Sequence, residues 1–188
     1  WNMLSKPGSP GYPSPSFPLE SAMSIAPATP ASGPIAFIGG GNMARSLIGG
    51  LIAAGNDPTT IRVADPNADC RDALAADFGV ATFAEAPAAV EGTSTWLFAV
   101  KPQVMRQVCE SLSAAAQATQ PLVVSIAAGI TSTQLERWLG DSSAVVRSMP
   151  NTPALLGAGV TGLFANAHVD AHGRQLAQAL LSSAGQTV

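Results

Sequence analysis

Charge is scarce in this sequence. Only 11% of its 188 residues are Asp, Glu, Lys or Arg, and nine basic residues against twelve acidic ones leave a formal net charge of -3. No basic stripe runs along the chain. Nucleic acids are held largely through lysines and arginines on phosphates, so nucleic acid is not expected as a partner. Cysteine is nearly absent as well. Cys70 and Cys109 stand in unrelated contexts, which argues against a disulfide framework and suits a reducing, cytoplasmic compartment. No apolar run reaches the roughly 18 residues that a membrane-spanning helix needs, so no membrane association is expected. What the chain has is apolar surface: 47% of its residues are hydrophobic, too many for a disordered protein. With so few charges to solvate a free-standing domain, part of that surface is expected to meet a partner or a further domain.

The length suits one domain, or one domain with an appendage. Residues 1–33 are the appendage. They carry Pro7, Pro10, Pro13, Pro15, Pro18, Pro27 and Pro30 among serines and glycines, and proline at that density blocks helix interiors and central strands. The stretch reads as a disordered leader, without the apolar core of a secretory signal or the arginines of a transit peptide. The chain opens on Trp1, and Met23 offers an initiation point that would place residues 1–22 outside the native protein.

From Pro34 onward, short apolar runs alternate with longer amphipathic stretches. Strands are expected at 34–38, 61–64, 80–83, 95–100, 122–126, 144–148 and 160–164. Helices are expected at 42–54, 68–78, 103–118, 131–139 and 168–184. The strands are continuous apolar runs, as burial on both faces produces. Strand and helix in alternation call for an α/β fold of the Rossmann type, a doubly wound, mostly parallel sheet.

The first strand runs straight into Gly39-Gly40-Gly41-Asn42-Met43-Ala44. This is the G-x-G-x-x-G/A pattern in its required place, after a strand and before a helix. Gly39 permits the tight turn. Gly41 lets the backbone approach a pyrophosphate with no Cβ in the way, and Ala44 lets the helix pack close to the strand. Helix N–H groups and the helix dipole then attract the anion. An acidic residue belongs at the end of the second strand, and Asp65 stands there. Its carboxylate suits the adenosine ribose hydroxyls and repels a 2′-phosphate, which favours NADH, although Arg62 or Arg71 could offset that charge. The cofactor is therefore NADP(H) or NAD(H), with the choice open.

Three further segments are expected at the same edge, because ligands bind outside the carboxyl ends of strands in such sheets. Ala99-Val100-Lys101-Pro102 follows the fourth strand, with Pro102 suited to the first helical turn. Ala127-Ala128-Gly129 follows the fifth and offers small side chains to a flat ring. Asn151 and Thr152, held between Pro150 and Pro153 after the sixth strand, offer an amide and a hydroxyl to the substrate side. His168 and His172 sit at helical i, i+4 spacing, but a third ligand is lacking, so no metal is assigned and a solvated helix start is preferred. Cys109 reads as buried or inert. No Ser-His-Asp set, P-loop lysine or nucleophile elbow occurs, and no catalytic residue is assigned.

The segments Phe37–Ala44, Ala99–Gln103, Ser125–Ile130 and Met149–Pro153 together resemble those of pyrroline-5-carboxylate reductase, in order and spacing. The resemblance covers Pro34 to the carboxyl end. It implies NAD(P)H-dependent reduction of 1-pyrroline-5-carboxylate to L-proline, with cofactor contacts from Ile38, Gly39, Gly40, Gly41, Asn42 and Met43, from Ala99 through Pro102, and near Ala127–Gly129. It also implies a homo-oligomer built through a second, helical domain. This chain stops at Val188, where the linker to such a domain would begin. One departure falls after the third strand, where the family often carries Asn near the adenosine ribose and Glu85 stands instead. Two other readings compete: a truncated, non-catalytic dinucleotide-binding module, and another reductase of the same superfamily, such as one acting on β-hydroxyacids.

Overall fold

The computed structural model describes residues 33–150, 159–182 and 185–187. Four four-residue strands form the centre: β1 (Ile35–Ile38), β2 (Ile61–Ala64), β4 (Thr95–Phe98) and β5 (Leu122–Ser125). The short β3 (Ala81–Phe83) borders β2, and β6 (Ala144–Pro150), β7 (Gly159–Ala165) and β8 (Gly185–Thr187) extend the other side. The sheet order is β3-β2-β1-β4-β5-β6-β7-β8. All described pairings are parallel except β6 with β7. This is the α/β, doubly wound, mostly parallel sheet expected from the sequence.

Helices α1 (Asn42–Ala53), α2 (Ala68–Phe78), α3 (Ala86–Val90), α4 (Pro102–Thr119), α5 (Ser132–Leu139) and α6 (Ala171–Ser182) connect and cover the strands. Because successive strand residues point to opposite faces, Phe37 and Ile38 enter different cores. Phe37, Val63, Leu97 and Val124 pack with Leu47, Ile48 and Leu51 of α1, Leu74 of α2 and Leu180 of α6. Ile38, Trp96, Phe98 and Val123 pack with Met105, Cys109 and Leu112 of α4 and Leu135 and Leu139 of α5. Each fully buried aliphatic or aromatic side chain contributes roughly 1.5–3 kcal/mol relative to exposure, and both layers are needed to bury the two faces.

Local chemistry fixes the element ends. Asn67 caps α2 by accepting from the N–H groups of Asp69 and Cys70. Thr131 and Gln134 form a reciprocal capping box at α5, the arrangement that satisfies two orphan donors together. Gly79 ends α2 at φ +68, in the left-handed region.

Three sequence expectations need correction. The last helix begins at Ala171, not at His168. Its start is set by Asp170, whose Oδ1 accepts from the Gly173 N–H at 2.6 Å. His168 and His172 therefore do not share a helix face; His168 Nε2 instead lies 2.9 Å from Glu136 Oε1. The segment 86–90 is a short helix that was not foreseen, and so is the strand β8. The proposed leader, apart from Gly33, lies outside the described residues.

The indole N–H of Trp96, fully buried, donates to Thr93 Oγ1 at 3.0 Å, and that hydroxyl donates to the Val90 carbonyl at 2.7 Å. Thr93→Val keeps the shape but leaves the buried indole N–H without its acceptor. We predict a loss of about 1–3 kcal/mol in urea unfolding; a change inside about 0.5 kcal/mol would contradict this role.

Candidate functional site

Equal registers bring the carboxyl ends of the central strands level. Ile38 pairs with Ala64 on one side and Phe98 on the other, and Phe98 pairs with Ser125. The chain runs outward to β2 and β3 on one side of β1 and to β4 and β5 on the other. Loops that leave β1 and β4 therefore part in opposite directions and open a crevice between them, the usual ligand position in such sheets.

The glycine turn leaves β1 with the sheet hydrogen bonding still running. The Gly39 N–H donates to the Ala64 carbonyl and the Ala99 N–H donates to the Ile38 carbonyl, both at 2.8 Å. Gly39 has φ +101, and a Cβ there would sit 2.7 Å from the Ala99 carbonyl oxygen. Gly40 is buried, and a Cβ there would meet Leu74 Cδ1 at 2.7 Å and Cys70 Sγ at 2.9 Å. Gly41 differs from both. It is exposed, with φ -66, and a Cβ there would have nothing within 4 Å. It is also the N-cap of α1, where it offers no side chain to the helix, and the first turn holds no acidic residue. The first N–H groups of a helix have no intrahelical acceptor. Their dipole and donors thus open onto a cradle that a side chain would fill, which fits an anionic diphosphate.

Gly40 is clamped from below. Its N–H donates to Asp65 Oδ2 at 2.8 Å, and its carbonyl accepts from the Cys70 thiol at 3.1 Å. Asp65 Oδ1 also accepts from the Asn67 N–H at 2.9 Å. Burial, foremost, and the neighbouring Asp65 charge push the Cys70 thiol above its ordinary pKa, which keeps it a neutral donor. This contact was not foreseen; the signal was the place of Cys70 in the first turn of the helix after Asp65. Arg62, considered as an offset to the Asp65 charge, is committed elsewhere. It donates to the carbonyls of Ala89 and Ala88 at 2.8 and 2.7 Å and stacks on Phe83. Arg71 donates to the carbonyls of Asp65 and Pro66 at 2.7 and 3.0 Å.

The other expected residues gather at the same edge where the structure describes them. Ala99 and Val100 are half-buried beside Gly39; Lys101 is exposed and takes the N-cap of α4, with Pro102 in its first turn. After β5, the Ile126 N–H donates to the Phe98 carbonyl at 3.2 Å. Ala127 is buried, Ala128 and Gly129 are exposed, and Gly129 has φ +77. Asn151 and Thr152 lie outside the described residues. Cys109, fully buried in α4, has its thiol pushed up to about 12, mainly by burial. A cavity of about 330 Å³ lies at the opposite, amino edge of the strands, lined by Thr95, Gln120, Leu122, Ser142 and His172 among others. It is remote from the glycine turn.

A level sheet edge, a strand–glycine turn–helix unit and an acidic residue closing β2 define a dinucleotide-binding domain of the Rossmann class. The chain belongs to the family described as NADP oxidoreductase, coenzyme F420-dependent, whose profile matches residues 34–129, 96 of its 188. Among curated proteins it is 49% identical over 151 residues to the pyrroline-5-carboxylate reductase of Pseudomonas aeruginosa, covering 80% of this chain and 55% of that one. Among solved structures it superposes on a pyrroline-5-carboxylate reductase from Coxiella burnetii with a TM-score of 0.81 at 41% identity, covering 83% of this chain and 58% of that one. A pyrroline carboxylate reductase from Plasmodium falciparum, 21% identical with a TM-score of 0.72, shares the fold over 84% of this chain and 57% of its own. The chain thus spans a little over half the length of these relatives, and the resemblance read from its sequence holds over that part.

Gly39→Ala tests the turn. A methyl group at φ +101 and 2.7 Å from a backbone oxygen forces a shift in the sheet edge. We predict a loss of about 1–3 kcal/mol in denaturant unfolding; wild-type stability would show that the close approach is not required.

Proposed function

We propose that this chain is the dinucleotide-binding unit of a pyrroline-5-carboxylate reductase, using NAD(P)H to reduce 1-pyrroline-5-carboxylate to L-proline. The observation that carries the reading is the open cradle at Gly41, set on a helix start that no side chain caps. The similarity to named reductases at 41–49% identity supplies the substrate. In this reading residues 34–188 form the cofactor unit, residues 1–33 are a leader, and a second, helical domain supplies the homo-oligomer and much of the substrate site. A cytoplasmic setting suits the reaction. Among the described residues, no helix is long and apolar enough to cross a membrane.

Each segment has a distinct task. The N–H groups of Gly41, Asn42 and Met43 hold the diphosphate, and Ile38, Gly39 and Gly40 set their direction. Ala99, Val100, Lys101 and Pro102 border the nicotinamide end, where Pro102 fixes the backbone. Ala127, Ala128 and Gly129 present a low surface against which a flat ring can lie. Asn151 and Thr152 are assigned to the substrate side. The bound nicotinamide supplies a hydride to the imine carbon, while the imine nitrogen takes a proton. The chain's contribution is orientation, which converts an encounter of two reactants into a positioned one. No general acid is assigned within these residues.

Gly41→Ala separates binding from folding. Its backbone is compatible with alanine and nothing lies near the added methyl group, so stability should fall by no more than about 1 kcal/mol, the preference of an N-cap for glycine over alanine. Dinucleotide affinity should fall by about tenfold, or roughly 1.4 kcal/mol. Thermal unfolding with and without nucleotide measures both. Unchanged affinity would remove the diphosphate from this turn.

A further inference from the structure

We infer that this site selects the dinucleotide with a free ribose 2′-hydroxyl, NADH, over its 2′-phosphorylated form, and that Asp65 is the residue that discriminates. The inference rests on the dinucleotide-binding reading above and departs from the NADP named in the family's description. Three observations carry it. First, the Asp65 carboxylate is fixed: Oδ2 accepts from Gly40 and Oδ1 from Asn67, at 2.8 and 2.9 Å. It cannot swing away from an approaching phosphate without releasing the glycine turn. A carboxylate oxygen has two lone pairs, so each retains acceptor capacity for a ribose hydroxyl. Second, a further acidic residue stands on the adjoining loop. The Asp65 N–H donates to the Phe83 carbonyl at 3.0 Å, which sets the ends of β2 and β3 side by side. Glu85, exposed and at the N-cap of α3, follows two residues later without a side-chain capping bond. Third, both nearby arginines are engaged. Arg62 is drawn to the end of α3 by two carbonyls and the Phe83 ring, and Arg71 grips the backbone of the turn itself. A 2′-phosphate would bring its charge against the fixed Asp65 carboxylate, while Arg62 is turned toward α3 and Arg71 holds the backbone carbonyls of the turn through Nη1.

Asp65 thus links two properties. The carboxylate that repels a phosphate also orients the peptide that leads into the diphosphate cradle. Replacing it should change both which nucleotide binds and how firmly any nucleotide is held.

The test is direct titration of the full 188-residue chain with NADH and with NADPH, followed by nucleotide fluorescence or calorimetry and requiring no turnover. NADH should bind at least about tenfold more tightly at low salt. The preference should shrink as ionic strength rises, because exposed charges are screened over about 10 Å at 0.1 M salt. Asp65→Asn should weaken NADH and strengthen NADPH relative to it, closing most of the gap. Glu85→Gln should narrow the gap by a smaller factor while leaving the Gly40 clamp intact, and it serves if Asp65→Asn does not fold. Equal or tighter binding of NADPH to the wild-type chain would overturn the inference and leave the dinucleotide reading standing. So would a preference that ignores salt and survives both substitutions. Binding of neither nucleotide would overturn both.

Discussion

Between the ends of β1 and β4 there is no room for a methyl group. Gly39 passes so close to the Ala99 carbonyl that a Cβ would lie 2.7 Å from its oxygen, and the chain takes a left-handed turn to do so. That approach keeps the sheet's hydrogen bonding intact past the last strand residues, through Gly39 to Ala64 and Ala99 to Ile38. It also delivers the start of α1 to the sheet edge within three residues. The crevice, the aim of the helix dipole and the level arrival of the loops after β4 and β5 all follow from it.

The next constraint acts on the middle glycine. Both backbone polar groups of Gly40 are held by side chains from the end of β2 and the start of α2, its N–H by Asp65 and its carbonyl by Cys70. A Cβ at this position would meet Leu74 and Cys70, so packing and hydrogen bonding agree on the same backbone path. The third glycine meets nothing. Sterics therefore divide the three glycines into one that turns, one that packs and one that leaves space, and the one with space is the one beside the uncapped helix start.

Much of this was legible in the residues. The expected bounds of β2 and α2 match the structure to the residue: Ile61, Val63 and Ala64 are apolar and buried, and Asn67 caps the helix that follows. The tight turn expected at Gly39 is present, and the open space at Gly41 is what its proposed job requires, since G-x-G-x-x-A is a steric code. What escaped had weak local signals. Ala86–Val90 is one turn long and opens with a proline in its first turn, too short for periodicity to register. β8 spans three residues and exists through its pairing with β7. His168 was drawn into α6 because 3.6-residue periodicity carries on past a cap; Asp170 and the His168–Glu136 pair, thirty-two residues apart in sequence, set the true boundary. The commitment of Arg62 to the end of α3 depends on a helix that the sequence did not announce. The long-range partners of Asp65 and Cys70 are likewise tertiary facts.

The central claim is that the glycine turn at the carboxyl edge of the sheet receives the dinucleotide, and that the cavity at the amino edge does not. Backbone amide chemical shifts of the isotope-labelled chain, followed during NADH titration, test it most directly. The account predicts the largest changes at Gly39–Ala44, with smaller ones at Asp65, Ala99–Lys101 and Ala127–Gly129. Changes centred instead on Thr95, Gln120, Ser142 and His172, or none at all at saturating nucleotide, would contradict it.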